Sequence, residues 1–260
     1  KIIVNNKMFD LTGRVALVTA SSRGIGFGIA QAMSASGASV VISSRKADAC
    51  KDAARSITDA GGDVLALPCN VGHKEQLQEL VDATMARWGR IDILVCNAGI
   101  NPYYGPLANI DDDAFDKTMG TNVRSTLWLC NMVLPGMAER GGGAALLVAS
   151  IAGLRGTDKM GAYGISKAAE IGMTRHLSVE WGPSNIRVNC IAPGVIRTNF
   201  ARVLYENPEM SEPLIAATPL GRVGEVKDVA GAAVFLCSDA SQFVTGQTLV
   251  IDGGRMTGAG

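Results

Sequence analysis

The sequence predicts a single α/β domain across its 260 residues, built on a doubly wound, seven-stranded parallel sheet with helices on both faces. Short runs rich in Val, Ile and Leu alternate with helix-length segments along the chain, and strands covered on both faces read as such apolar runs. Glycines fall where the helical segments stop. No flexible linker, internal repeat or low-complexity segment divides the chain, so the alternation describes one sheet rather than two domains.

In order, residues 1–9 are an N-terminal extension, and 15–19 (Val-Ala-Leu-Val-Thr) form the first strand. A glycine turn opens a helix over 25–36 that ends at Gly37. The strand 39–43 precedes a helix over 47–60 that stops at Gly61-Gly62, and the strand 64–68 precedes one over 74–88 that stops at Gly89. The strand 93–97 leads to a long, interrupted helix over 112–139, and 144–150 leads to a helix over 162–181 closed by Gly182-Pro183. Strands at 187–191 and 248–251 flank the largest irregular stretch, 196–225, and a helix over 226–237. Loops at the carboxyl ends of such strands carry ligands, which makes 196–225 the expected substrate region.

Composition excludes several classes of function. Lys+Arg and Asp+Glu are both 24 with no long like-charge run, which gives no surface for nucleic acid. Six widely spaced cysteines without a CxxC pair read as reduced core thiols. His73 and His176 are not at metal-ligand spacing, so no metal site is expected and a Ser-His-Asp hydrolase is disfavoured. No apolar stretch suits a secretion signal in the first ten residues or a membrane span anywhere, and a cytoplasmic location is expected.

The chemistry concentrates in Tyr163-Gly164-Ile165-Ser166-Lys167, preceded by Ser150. Positions i and i+4 share a helix face, so a phenol and an ammonium meet. A phenol titrates near ~10, and a cation within about 4–6 Å favours its ionised form by roughly 1–3 units, giving a proton-transfer group. Directly after the first strand, Ala20-Ser21-Ser22-Arg23-Gly24-Ile25-Gly26 opens a helix. Glycines there let backbone N–H groups approach a pyrophosphate at a helix N-terminus, the pattern of a dinucleotide site. NAD sites place a carboxylate at the end of the second strand, whereas this chain has Ser43-Ser44-Arg45-Lys46. Two cations there, with Arg23 beside them, suit the extra 2′-phosphate and predict NADP(H).

Together with Cys96-Asn97-Ala98-Gly99, Thr121-Asn122-Val123, Ile186-Arg187-Val188-Asn189, Pro193-Gly194, Thr245-Gly246-Gln247 and Asp252-Gly253-Gly254, these motifs resemble the short-chain dehydrogenase/reductase family. The resemblance spans residues 9–254 and implies a Rossmann sheet and hydride transfer between a nicotinamide and a carbonyl or alcohol. It implies Tyr163 as general acid or base, Lys167 as the residue that lowers its pKa and holds the nicotinamide ribose, Ser150 as the hydroxyl orienting the carbonyl, and Asn122 as anchor of a proton-relay water. It further implies cofactor contacts at Ala20, Ser22, Arg23, Gly24, Ile25, Gly26, Ser44, Arg45, Asn70, Val71, Asn97, Ala98, Gly99, Pro193, Gly194, Ile196 and Thr198, and a structural role for Asn189. Three positions depart from the family pattern: Ala20 replaces the first glycine of the turn, Asn70 replaces an Asp, and Cys96 replaces an Asn.

Within the family the chain looks most like NADP-dependent carbonyl and retinal reductases, so a lipophilic ketone or aldehyde is the expected small-molecule substrate. Tyr103, Tyr104, Leu154, Met160, Phe200, Leu204, Tyr205 and Met210 are its candidate contacts. The alternatives are a 3-oxoacyl-carrier-protein reductase, disfavoured by Pro135 and Ser184 where that branch commonly has arginines, and a non-catalytic dinucleotide-binding scaffold or sensor. The resemblance also implies a homo-oligomer, usually a tetramer, with helices 112–139 and 162–181 pairing subunits and residues 254–260 reaching a neighbour.

Overall fold

A computed structural model describes residues 6–258. Seven parallel strands, β1 (Val15–Val18), β2 (Ser39–Ser44), β3 (Val64–Pro68), β4 (Ile93–Cys96), β5 (Gly143–Val148), β6 (Ile186–Pro193) and β7 (Thr248–Ile251), form one sheet in the order β3-β2-β1-β4-β5-β6-β7. The order reverses between β1 and β4, and a crevice opens beyond the carboxyl ends of strands at such a switch point. In the register, Val18 lies beside Val95 and Ile42, and Cys96 beside Leu147, so the segments leaving β1, β2, β4 and β5 emerge along one rim.

The helices are α1 (Gly24–Ala35), α2 (Ala47–Asp59), α3 (Lys74–Trp88), α4 (Asp112–Met119), α5 (Ser125–Glu139), α6 (Gly161–Trp181), α7 (Arg202–Glu206), α8 (Pro208–Ala216) and α9 (Val226–Cys237). Side chains alternate along each strand. Ala16 and Val18 therefore pack under α1, α2 and α9 with Ile29, Met33, Ile57 and Val229, whereas Leu17 packs on the opposite face under α3, α5 and α6 with Leu77, Leu129, Val133 and Ile171.

The expected seven strands and their helices are present, with shifted ends. β1, β4 and β5 stop earlier than expected, which frees Thr19, Asn97 and Ser150 for the rim, and β6 runs on to Pro193. The interrupted helix is α4 and α5 joined by one π-helical turn, Gly120–Arg124. α6 ends at Trp181 as expected, with Gly182 as its C-cap in helical φ, and the chain takes its left-handed turn at Asn185, with φ of 58°.

The irregular stretch 196–225 needs the largest correction, since it contains α7 and α8. Its signal was local: the Asn207 side chain accepts a hydrogen bond from Glu209 N at 3.0 Å, with Pro208 at the first helical position. Of the N-terminal extension, residues 1–5 lie outside the described residues, as do Ala259 and Gly260 of the tail expected to reach a neighbour. Among the described residues no helix is long and apolar enough to cross a membrane, and no cluster of ligands suits a metal ion.

Candidate active site

α6 brings the catalytic candidates together. Tyr163, one turn in, is half-buried, and its ring centroid lies 6.0 Å from that of Phe200. One turn further on, Lys167 is buried with its Nζ 5.6 Å from the Tyr163 ring centroid. The ammonium donates to Val148 O at 2.8 Å, which ties it to the end of β5, and to Glu170 Oε2 at 2.9 Å. Ser150, just past β5, caps a short 3-10 turn by accepting from Ala152 N, and its hydroxyl lies beside the phenol.

Burial raises the Tyr163 phenol above its ordinary value, Lys167 pulls it down, Glu170 pushes it up again and the Ser150 hydroxyl favours ionisation; the net direction is upward. The sequence led to the opposite expectation, because YxxxK shows the ammonium and conceals both burial and the carboxylate. Glu170 was missed altogether: a single acid in a helix reads as solvated, yet its side chain is 1% exposed.

Asn122 sits in the π-helical turn and is fully buried. Its Oδ1 accepts from Ile100 N at 2.8 Å, and its Nδ2 donates to Ile100 O at 3.0 Å and to Ser166 Oγ at 2.9 Å. Both amide hydrogens are engaged, so the side chain is a tie that pins the segment after β4 against α6. Ser166, also unpredicted, donates to Tyr163 O at 2.7 Å and passes that tie to the catalytic turn.

The glycine turn forms the other half of the crevice. Gly24 opens α1 with φ of 60°, and no side chain caps the helix's first turn. A Cβ on Gly26 would strike Asn97 Nδ2 and lie 2.6 Å from Ala20 O, so only hydrogen fits. These bare amides and the helix N-terminus fit a pyrophosphate. Ser21, not predicted, fixes the turn to β2: its hydroxyl donates to Val18 O at 2.6 Å and accepts from Ser43 N at 2.9 Å. Ala20 holds φ of 50°, a conformation that costs a side-chain-bearing residue roughly 1–2 kcal/mol.

At the end of β2, Arg45 and Lys46 are exposed, as is Arg23 in the turn, and none has an ion-pair partner among the described residues. Ser44 shares a 3.2 Å contact with Cys50 Sγ. After β4, Asn97 N and Ala98 N donate to Thr19 Oγ1 at 3.0 and 3.1 Å, while Asn97 Nδ2 reaches Thr19 O and Ala20 O. Gly99 lies where an added Cβ would stand 3.2 Å from Lys167 Nζ, joining the two halves. Asn70 Oδ1 accepts from Gly72 N and shapes the turn after β3, while Val71 packs, partly buried, against the core under α3, α5 and α6. Beyond Pro193 and Gly194, Ile196 is buried and Thr198 comes back over the turn, its Cγ2 at 3.4 Å from where a Cβ on Gly24 would be. Asn189 is held by Val244 O and Gln247 N, consistent with a structural role.

On the open side, Gly105 and Met160 form an isolated parallel bridge that brings the Tyr103-Tyr104 segment beside the start of α6. Tyr103 donates to Pro106 O at 3.0 Å, while Tyr104, Leu154 and Phe200 are exposed apolar surface at 56, 40 and 64%. Tyr205 is half-buried under the Arg197 guanidinium, and Leu204 and Met210 are half-buried on α7 and α8.

A groove at the switch point, with a Tyr–Lys stripe and a Ser beside it, has the donors and the space to suit a nicotinamide dinucleotide next to a carbonyl or alcohol. The family model described as Enoyl-(Acyl carrier protein) reductase matches residues 19–256. Dehydrogenase/reductase SDR family member 4 of Bos taurus is 41% identical over 247 residues, covering 95% of this chain and 88% of that protein. The human protein of that name is 41% identical over 244 residues, covering 94% and 88%. Among solved structures, 7 alpha-hydroxysteroid dehydrogenase complexed with NADH and 7-oxo glycochenodeoxycholic acid superposes with a TM-score of 0.94 at 36% identity, over 97% of this chain and 99% of that one. Gluconate 5-dehydrogenase from Burkholderia cenocepacia, in complex with NADP and tartrate, gives 0.93 at 34% identity, over 98 and 99%. The chain belongs to the short-chain dehydrogenase/reductase family.

Proposed function

We propose that this protein is an NADP(H)-dependent carbonyl reductase acting, as one domain, on a lipophilic ketone or aldehyde. The observation that carries the reading is the junction at Gly99, where Lys167 Nζ meets the coenzyme groove 5.6 Å from the Tyr163 ring. When bound, the reduced nicotinamide supplies a hydride. Tyr163 then donates its proton to the carbonyl oxygen, Ser150 orients that oxygen by a second hydroxyl, and Lys167, fixed by Val148, reaches toward the ribose and the phenol. Gly24, Ile25, Gly26 and Ser22 would hold the pyrophosphate. Asn97, Ala98 and Gly99 line the groove, with Asn70, Val71, Pro193, Gly194, Ile196 and Thr198 completing it.

The solved relatives carry either NADH or NADP, so fold alone does not select the coenzyme. Arg45 and Arg23 would do so through charge, with the neutral Ser44 hydroxyl beside them, since a 2′-phosphate would meet guanidinium groups that have no ion-pair partner among the described residues and no carboxylate stands at the end of β2. Steady-state KM values test the choice: NADPH is expected to be the tighter coenzyme, and a preference for NADH would refute it.

Exposed Phe200, 6.0 Å from the Tyr163 ring, and exposed Tyr104 and Leu154 on neighbouring segments support an apolar substrate. A panel of aromatic ketones and polyols tests that class, with turnover of the polyols alone counting against it. The matched family's description suggests a carrier-protein substrate as a second reading. Faster turnover of a carrier-protein thioester than of small ketones would favour it. The chain is read as a cytoplasmic homotetramer paired through α4–α5 and α6, and light scattering giving a monomer would remove that assembly.

A further inference from the structure

Tyr163, Lys167 and Glu170 stand at i, i+4 and i+7 of α6 and form one stripe on its inner face. The Lys167 and Glu170 side chains are 3 and 1% exposed and 2.9 Å apart, and Glu170 Oε1 has no hydrogen-bond partner among the described residues. The carboxylate therefore serves one group, the ammonium of the catalytic turn. Besides the Val148 carbonyl, the titratable groups that other elements bring to the pair are thiols: Cys190 on β6, and Cys96 at the end of β4 beside Cys130 of α5. Burial pushes Cys190 to about 12, and the neighbouring Cys130 together with burial holds Cys96 well above the usual thiol range, so both are neutral at working pH. Among the described residues, Lys167 and Glu170 are the only charged groups acting on the phenol, and Ser150 is its neutral neighbour.

We propose that Glu170 is a positioning residue that neutralises Lys167, keeps the Tyr163 phenol protonated and thereby sets the site for carbonyl reduction over alcohol oxidation. The inference rests on Tyr163 being the proton donor. A lone ammonium beside the phenol would stabilise phenolate, and a carboxylate on the ammonium cancels much of that field. In reduction, a hydride carries two electrons to the carbonyl carbon, the carbon–oxygen π pair takes the phenol proton, and the phenolate regains a proton from solvent. In oxidation the phenolate must already exist to accept the hydroxyl proton as the hydride leaves for the oxidised nicotinamide. A resting phenol serves the first direction. Burial pushes the Glu170 carboxyl up to about 7 against the pull of Lys167, so the carboxylate is present from neutral pH upward, the range in which phenolate would form.

Ultraviolet difference titration of the full chain without coenzyme reads the phenol directly, with Tyr163→Phe as the reference that subtracts Tyr103, Tyr104 and Tyr205. Glu170→Gln should lower the Tyr163 midpoint by about one pH unit, and Glu170→Asp should restore it. With NADP+ and 1-phenylethanol near pH 8, the Gln variant should oxidise about tenfold faster relative to its reduction of acetophenone. An unchanged or raised midpoint in Glu170→Gln overturns the proposal, as does an equal fall in Glu170→Asp. Should Glu170→Gln alone not fold, Lys167→Met with Glu170→Gln decides: a midpoint equal to that of Lys167→Met supports action through Lys167, and a further fall overturns it. Full turnover by Tyr163→Phe would refute the proton-donor assignment instead, and that readout is separate from the titration of Glu170.

Discussion

Lys167 and Arg45 are both cations along one rim of the sheet, and they are held in opposite ways. Lys167 is buried between a backbone carbonyl and a carboxylate, with its position fixed before any ligand arrives. Arg45 is exposed, with no ion-pair partner among the described residues. The first arrangement places a charge within a few ångströms in a medium where salt does not reach. The second leaves charge in water, where screening acts over about 8 Å and binding to an anion supplies the only strong contact. On the function proposed above, proton transfer would depend on the buried cation, and coenzyme choice on the exposed one.

Removing the proton donor should have the largest effect. Tyr163→Phe is expected to lose about 10²–10⁴ in kcat with coenzyme affinity retained in a fluorescence titration. The raised phenol adds a pH signature: it stays protonated well past neutrality, so reduction should be flat between about pH 6 and 9, while oxidation climbs as phenolate forms. Lys167→Met should leave Glu170 buried and unpaired and lower stability by about 3–5 kcal/mol in urea unfolding. An equally large loss in Arg45→Ala would erase the contrast between the two cations.

Arg45→Glu should raise KM for NADPH about 10–100-fold with little change in unfolding, the scale of one charged hydrogen bond lost. Added salt sharpens the distinction: from 0.05 to 0.5 M, on the order of the range over which exposed charges become screened, NADPH affinity should fall several-fold while the Lys167→Met penalty stays constant. The smallest change is Ala20→Gly, which should stabilise by up to about 1 kcal/mol in the same unfolding assay by relieving the left-handed alanine.

The contrast also explains what the sequence disclosed. The central strands β1, β2, β4 and β5 announced themselves because burial on both faces favours runs of Val, Ile and Leu, and the glycine turn did so because Gly26 admits no side chain. Tyr163, Lys167 and Ser150 were legible by spacing, and the structure brings them together. Glu170 was not, since an acid three residues past a lysine is what a solvated helix face also shows. Ser21 and Thr19 act through hydrogen bonds to strands distant in sequence, which periodicity does not register. Helices α7 and α8 were hidden by their shortness and by Pro213 inside α8, although Asn207-Pro208-Glu209 spelled a helix start.

The backbone from Ile196 to Phe200 crosses from the buried end of β6, over Gly24, to the ring of Tyr163. Whatever occupies the glycine turn therefore lies beneath the segment that the carbonyl compound must meet. Kinetically, this geometry predicts ordered turnover, with coenzyme entering first and leaving last. Product-inhibition patterns should be competitive between the two coenzyme forms alone.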